Sequence, residues 1–410
     1  MTLDVRPIND SQIGDWIAAV GRGFLQHRPI LESDIETRRA VMDLNRTLAG
    51  FDSDTMVSTL RSFATELTVP GGASVPASAV TGVTTTSTYR RRGLATQMVT
   101  HDLRTAAERG EQVAVLIAAE WGIYGRFGYG ASTEHQTLTL NTRGTQLRSA
   151  PRGSVEFVDR DTARILAPQI YEQHRTKQSG QLNWMPWAWD VDYGIVRFGG
   201  VAESPSFHAI ARDERGEPIG FARYQFKEEW EQRQAAGKIT IEAMIGSTVQ
   251  GEALMWKHLL DHDLATSVVA ADRSAADVLP LLLTDPRHVS ASERADFLWL
   301  RVLDPAGLLA QRRYATRDRL VIEIIDPLGL AHGRFLLTSD DDGATCTPTD
   351  TSADLTMPVS TLASLYLGGH HVRARLLAAV GLIDEHTAGA VARADAMFAS
   401  EVTPWSSTWF

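Results

Sequence analysis

Apolar positions along the first third of the chain switch repeatedly between an extended and a helical rhythm. Residues 3–8 open as a strand, and Ile13, Trp16, Ile17, Val20 and Phe24 then fall at steps that share one helix face. A second helix is predicted over 33–46, and Pro70-Gly71-Gly72-Ala73 reads as a turn between strand-like runs. Residues 79–86 are rich in β-branched side chains and predict a strand, in which Gly82 marks a bulge or a close backbone approach. Leu94, Ala95, Met98, Val99, Leu103 and Ala106 return to helical spacing, and Gly110 suits the position just past a helix end. Residues 112–119 are an apolar run of strand length, and a short helix containing Tyr124 follows almost at once.

The polar stretch 142–153 reads as a linker. Beyond it a strand (238–245), a loop (246–250) and a helix (251–260) repeat the earlier order in weaker form, with Gly251-x-Ala253 at the helix start but no arginines before it. From about 299 the pattern changes again. Strands are predicted over 298–303, 320–325 and 334–337, a turn over 339–343, and helices over 359–367 and 387–399.

A chain of 410 residues with 43% hydrophobic composition predicts two or three ordinary packed domains. No stretch approaches the roughly 18 uninterrupted apolar residues of a membrane span, and the first residues lack the form of a secretory signal, so the default compartment is cytoplasmic. The net charge of −10 argues against a general nucleic-acid binder, which needs a dense positive face. The single cysteine, Cys346, excludes an internal disulfide and reads as a small buried hydrophobe. The consecutive Asp340, Asp341 and Asp342 lack the alternation of a calcium loop, and adjacent His370 and His371 lack helical zinc spacing, so no metal is expected.

Between the 79–86 strand and the following helix lies Ser87-Thr88-Tyr89-Arg90-Arg91-Arg92-Gly93-Leu94-Ala95. A helix starting at Gly93 offers unpaired N–H groups and the positive end of its dipole, and the arginines add fixed charge. That chemistry suits a pyrophosphate; the alternative is a solvated basic turn. Here a resemblance becomes specific. Arg90-x-x-Gly93-x-Ala95 is similar to the coenzyme A signature of the GNAT superfamily of N-acetyltransferases, and Tyr124-Gly125-Arg126-Phe127-Gly128-Tyr129 resembles their Tyr-x-Arg-x-Gly-aromatic segment. The resemblance implies that acetyl-coenzyme A is the co-substrate and that two strands part to admit its pantetheine arm. It implies cofactor contacts at Val83, Thr84, Thr85, Arg90, Arg91, Arg92, Gly93, Leu94, Ala95, Thr96, Ala119 and Glu120. It also implies that Tyr124 protonates the departing thiolate, where the alternative is a core tyrosine anchoring a helix. With a phenol near pKa ~10 and a thiol near ~8.5, that transfer is uphill by only about one or two units.

Over nearly the whole length the chain resembles one GNAT subfamily, the Eis (enhanced intracellular survival) acetyltransferases. Besides the two segments above, Cys346-Thr347-Pro348-Thr349-Asp350 and Ser364-Leu365-Tyr366-Leu367-Gly368 carry the match. The implied fold is α+β: a catalytic GNAT domain over 1–150, a degenerate GNAT-like domain over 151–298, and a sterol-carrier-like α+β domain over 299–410. The terminal Thr403-Pro404-Trp405-Ser406-Ser407-Thr408-Trp409-Phe410 is too apolar for a frayed tail, which predicts that it docks; packing of a domain interface is its bland reading. The resemblance implies that the carboxylate of Phe410 is the general base for direct transfer to a primary amine, and that the protein forms a homo-hexamer.

Family members acting on aminoglycosides carry acidic groups where this chain has Gln26-His27-Arg28 and Trp409, which puts polycationic acceptors in doubt. Glu32, Asp34 and Glu36 suit a solvated helix start, the alternative being restored negative charge at the acceptor site; Trp184, Trp187 and Trp189 suit core or interface packing, the alternative being stacking on a ring substrate; and Trp121 adds a ring beside the catalytic segment that would narrow or reshape the acceptor site. Two other classes stay open: a protein-lysine acetyltransferase with the same catalytic residues, and a non-catalytic acyl-coenzyme A sensor that needs neither Tyr124 nor a docked C-terminus.

Overall fold

The computed structural model describes residues 3–26, 29–196, 205–370 and 372–410. His27, Arg28 and His371 lie outside the described residues. Two seven-stranded mixed sheets and one five-stranded sheet form the frame.

The first sheet begins with strands β1 (Leu3–Pro7), β2 (Thr47–Asp52), β3 (Thr55–Thr68), β4 (Ser74–Thr85) and β5 (Val113–Ile117) in spatial order. Helices α1 (Ile13–Gly23) and α2 (Glu32–Val41) follow β1, α3 (Leu94–Glu108) joins β4 to β5, and α4 (Trp121–Tyr124) follows β5. The helix predicted over 33–46 stops at Val41: Met42 turns to extended backbone and a 3-10 turn, Leu44–Arg46, leads into β2. Asp34, read as part of a solvated helix start, is instead 1% exposed, because it turns inward to cap α2 by accepting from the Leu31 N–H at 3.1 Å.

The second sheet has the order Val289–Asp296, Glu134–Asn141, Ala265–Ser274, Gly237–Gly246, Pro218–Lys227, Phe207–Arg212 and Ser154–Val158. Helix Val249–Leu260 closes the core around Trp256, which is fully buried. The third sheet centres on Asp318–Ile325 and Gly333–Ser339, covered by Val359–Tyr366 and Ala390–Met397.

The sheets cross the divisions at 150 and 298. Strand Leu298–Val302, read from sequence as the start of the third unit, pairs antiparallel with β5 and with Gly130–Ala131, completing the first sheet. Glu134–Asn141 leaves the first unit and pairs inside the second sheet with Ala265–Ser274 and Val289–Asp296. The physical reason is the β5 edge: Val113, Ala114 and Val115 are fully buried, and an edge buried on both faces needs a partner on its open side. Local pattern locates a strand but does not name the sheet that takes it. The 142–153 stretch is loop, tied to the second domain by a bridge between Leu147 and Leu283.

The first sheet and the C-terminal domain share one apolar core. Phe63, Ala79, Val115 and Leu300 on one face pack with Ile322, Leu362 and Tyr366, while Leu60, Val80, Ala114 and Leu116 on the other face pack with α3. Among the described residues no helix is long and apolar enough to cross a membrane.

Candidate active site at a strand fork

β4 and β5 are held together only at Ala77–Val113, Ser78–Ala114 and Ala79–Val115. Beyond Ala79 and Val115 the two strands part. The cause lies in β4: its pairing to β3 slips between Thr81 and Thr84, opposite Arg61 and Thr59, so Gly82 and Val83 form the bulge that the sequence predicts. Ser58 Oγ donates to the Thr84 carbonyl at 2.6 Å, and Thr59 Oγ1 donates to the Gly82 carbonyl at 2.8 Å. Thr84 therefore turns its carbonyl toward β3, and the pleat aims the backbone groups of Val83 and Thr85 into the fork. Of the three predicted backbone positions, Val83 and Thr85 face the gap; Thr84 builds its wall, packed against Gly23 of α1.

At the mouth of the fork the basic loop makes a tight turn, with φ of +64° at Arg91 and +83° at Gly93. Alternating handedness of this kind turns successive N–H groups toward one point, a geometry that holds anions. The first N–H of α3 to find a helical carbonyl is that of Gln97, bonded to Gly93 at 3.0 Å. The N–H groups of Leu94, Ala95 and Thr96 are thus left for a ligand. The Leu94 side chain is buried in the core, so only its backbone faces the loop. Arg92 lies over the Tyr89 ring, whose hydroxyl donates to Asp52 at 2.8 Å. Across the mouth Glu120 Oε1 stands 3.9 Å from the Arg90 guanidinium, a solvated pair of little energetic weight. Ala119 and Glu120 are exposed at the other lip. The loop, Val83, Thr85 and the lip residues surround a single gap, and its donor set fits a pyrophosphate followed by an amide-bearing arm.

Tyr124 ends α4 on the α3 side of the sheet, 7% exposed and edge-on to Tyr129. Burial, with Glu120 adding to it, pushes its phenol up to about 12. Its backbone is held from behind. Arg301, fully buried on Leu298–Val302, donates to the Phe127 carbonyl at 2.6 Å and makes a fully buried ion pair with Asp326 of the C-terminal domain. Gly128 has φ +86°, and a Cβ there would stand 2.7 Å from Arg301 Nε, which explains the glycine of the Tyr-x-Arg-x-Gly segment. Trp121 lies on Trp299, 4.8 Å between ring centres, on the Tyr124 side; it does not reach the face where Phe410 sits.

Phe410 arrives from the opposite face. Its ring packs edge-on to Phe63 at 5.6 Å. Phe63 pairs with Ala79, and Ala79 with Val115, the last pair before the strands separate. The chain terminus therefore rests at the base of the fork.

What carries it there is the second domain. Trp405 is 5% exposed; its N–H bonds the Ser179 carbonyl at 2.9 Å, and its indole donates to the Asp272 carbonyl at 2.8 Å. Ser407 donates through both N–H and Oγ to Gln181 Oε1, and Gln178 Nε2 holds the Thr403 carbonyl at 2.8 Å. Asp272 marks a second fork. Gly237–Gly246 and Ala265–Ser274 pair in parallel as far as Ile241 and Ala270, and a cavity of about 280 Å³ follows, walled by Trp184, Trp189, Met244, Arg273 and the tail itself. The place that corresponds to the β4–β5 gap of the first domain is thus occupied by the 405–409 segment. Trp187 instead is half-buried against Phe63 at 6.2 Å, while Trp189 is buried in the second-domain core with Trp184 packed against it. Cys346 is buried in the third domain, and its thiol is pushed up to about 12 by desolvation.

Sequence reasoning missed Arg61 and Phe63, since the run before Pro70 was read only as strand-like, without bounds or site residues, and it missed Gln181 and Asp272. The signal for Arg61 was a single charge two residues before Phe63, in a strand otherwise uncharged from Thr55 to Thr65.

Models of acetyltransferase (GNAT) domains match residues 4–132 and 180–302, and a model of sterol carrier protein domains matches 305–407. The chain is 39% identical over 414 residues to an uncharacterized N-acetyltransferase of Streptomyces avermitilis, covering 100% of this chain and 99% of that protein. It is 33% identical over 345 residues to N-acetyltransferase Eis of Mycobacterium tuberculosis, covering 82% of this chain and 81% of the relative. The crystal structure of Eis1 from Mycobacterium abscessus aligns with a TM-score of 0.88 at 28% identity, over 99% of this chain and 100% of that one. Fold, fork and relatives define an acetyltransferase of the GNAT type. Within that class the chain belongs to the Eis family of N-acetyltransferases, with two GNAT domains followed by a sterol-carrier-like domain.

Proposed function

We propose that this protein transfers an acetyl group from acetyl-coenzyme A directly to a primary amine of a small molecule, with Tyr124 as general acid and the Phe410 carboxylate as general base. The observation that carries the reading is the fork itself, approached by Tyr124 on one face and by the chain terminus on the other. The co-substrate supplies the acetyl thioester. Loop N–H groups of Leu94 to Thr96 and the guanidinium groups of Arg90, Arg91 and Arg92 hold its phosphates, and Val83 and Thr85 hold its arm.

The Phe410 carboxylate takes a proton from the amine, whose nitrogen lone pair attacks the thioester carbonyl. The carbon–sulfur bond breaks, and Tyr124 gives its proton to the sulfur. A tyrosine at about 12 is a weak acid, but a thiolate formed in the same dry fork is desolvated too. Burial lifts both groups together, so the transfer stays close to balanced.

The test is release of free thiol from acetyl-coenzyme A across small amines and lysine peptides. Tyr124→Phe is expected to lower kcat by about 10²–10⁴-fold, the usual worth of a positioned acid. Deleting Phe410 moves the terminal carboxylate one residue back and is expected to lower kcat at least about tenfold. Turnover of lysine peptides alone assigns the protein-lysine reading; coenzyme A binding with no turnover of any amine assigns the sensor reading. Homo-hexameric assembly and a cytoplasmic location belong to the same proposal through family resemblance, and light scattering and cell fractionation check them.

A further inference from the structure

Six arginines are buried among the described residues. Arg46 faces Glu111, Arg175 faces Glu172, Arg273 faces Glu252 and Asp277, and Arg301 faces Asp326. Arg312 has no carboxylate but is surrounded by the carbonyls of Arg313, Tyr366, Phe398 and Ala399. Arg61 has far less. It is 3% exposed, its Nη2 donates to the Val41 carbonyl at 3.1 Å, and its Nε–H has no acceptor. The rings of Phe63 and Trp187 lie 5.8 and 5.6 Å from the guanidinium carbon. Burial and the nearby charge of Arg38 push its pKa down to about 10, so it remains a cation at neutral pH.

A buried cation without a counter-charge is costly, and such a group is retained where an anion reaches it. The position of Arg61 says from where. It is two residues before Phe63 on β3, so both side chains point to the face on which Phe410 rests. Its partner on β4 is Thr81, at the edge of the bulge that opens the fork. The pyrophosphate loop is at the other end of that fork, beyond Thr85. The missing anion therefore belongs to whatever enters from the Phe410 side, which is the amine acceptor.

We propose that the acceptor is an amine that also bears a carboxylate, of the amino-acid type, and that Arg61 binds that carboxylate while the amine meets the fork beside Phe410. This rests on the acetyltransferase reading given above. A guanidinium with a spare Nε–H matches a planar carboxylate through paired N–H donors, and it repels a polycation at the same point. Arg61 forms no covalent bond in this account; it sets which amines are accepted.

The experiment compares full-length protein on matched amines that differ only in the carboxylate: lysine with cadaverine, tyrosine with tyramine, and phenylalanine with phenethylamine. The expected result is a kcat/KM at least about tenfold higher for the carboxylated member, carried mainly by KM. In Arg61→Met that ratio is expected to collapse to within about twofold, and Arg61→Lys to keep part of it. A thermal-unfolding trace of each variant separates loss of recognition from loss of fold, and the lysine variant keeps the test decisive if the methionine variant is unstable. Turnover of amines with no preference for the carboxylate in wild-type protein overturns this inference alone. No turnover of any amine, with coenzyme A binding intact, overturns the acetyltransferase reading and this inference with it.

Discussion

At the residue scale, the site depends on groups whose chemistry is altered by where they are buried. Tyr124 is an ordinary phenol in the sequence and becomes one held up to about 12 by desolvation. A raised pKa keeps the acid protonated through the alkaline range. The log kcat against pH profile is therefore expected to show no falling limb near pH 10 and to fall only toward 12; a fall centred on the ordinary phenol value, absent in Tyr124→Phe, would place the group in water instead. Arg61 shows the reverse limitation of sequence. Its identity was plain, but its lack of a counter-charge is a property of what surrounds it: the Val41 carbonyl and the rings of Phe63 and Trp187. The resemblance that points to Tyr124 and the Arg90 to Thr96 loop was legible because its motifs are local, and the one that points to Phe410 because the match runs over nearly the whole chain. Thr84 was legible only in part, because which way a carbonyl turns depends on the register with β3.

At the scale of elements, the fork and the tail form the site together. The bulge at Gly82 and Val83 was foreseeable from a glycine in a β-branched run, and it parts β4 from β5. The docking of the tail was foreseeable from its aromatic content for Trp405 and Phe410, while Trp409 stays 65% exposed, and the dock itself was not foreseeable. That dock is the parted strands of the second GNAT domain, where a Trp405 indole bonds a backbone carbonyl. In the proposed reaction Trp405 would position Phe410 by anchoring the tail on Ser179 and Asp272. Trp405→Phe removes that hydrogen bond while keeping an aromatic ring, so kcat is expected to fall about three- to tenfold with little change in KM for acetyl-coenzyme A, whose fork is untouched. Equal losses in both parameters, or a coenzyme A affinity that falls with kcat, would contradict a tail-positioning role.

At the scale of the whole molecule, the three domains are interlocked rather than strung in a row. Leu298–Val302 completes the first sheet, Glu134–Asn141 sits in the second, and the Arg301–Asp326 pair fastens the Tyr124 segment to the third domain. A fragment of residues 1–142 lacks the partner of β5 and exposes the apolar face shared with the C-terminal domain. It is expected to be insoluble alone and to be recovered as a soluble complex when 143–410 is co-expressed; a soluble, cooperatively folding fragment would show that the exchanged strand is dispensable. The sequence alone determined the local periods, the tight basic loop before α3 and the motifs of the family resemblance, since each is written in residues that lie close along the chain. Only the tertiary structure decided which sheet each strand completes, that the second fork holds the tail, and that Arg61 is buried without a counter-charge. Those are long-range outcomes: strand pairing, burial and charge compensation depend on residues brought together from more than a hundred positions apart, and no local pattern encodes them.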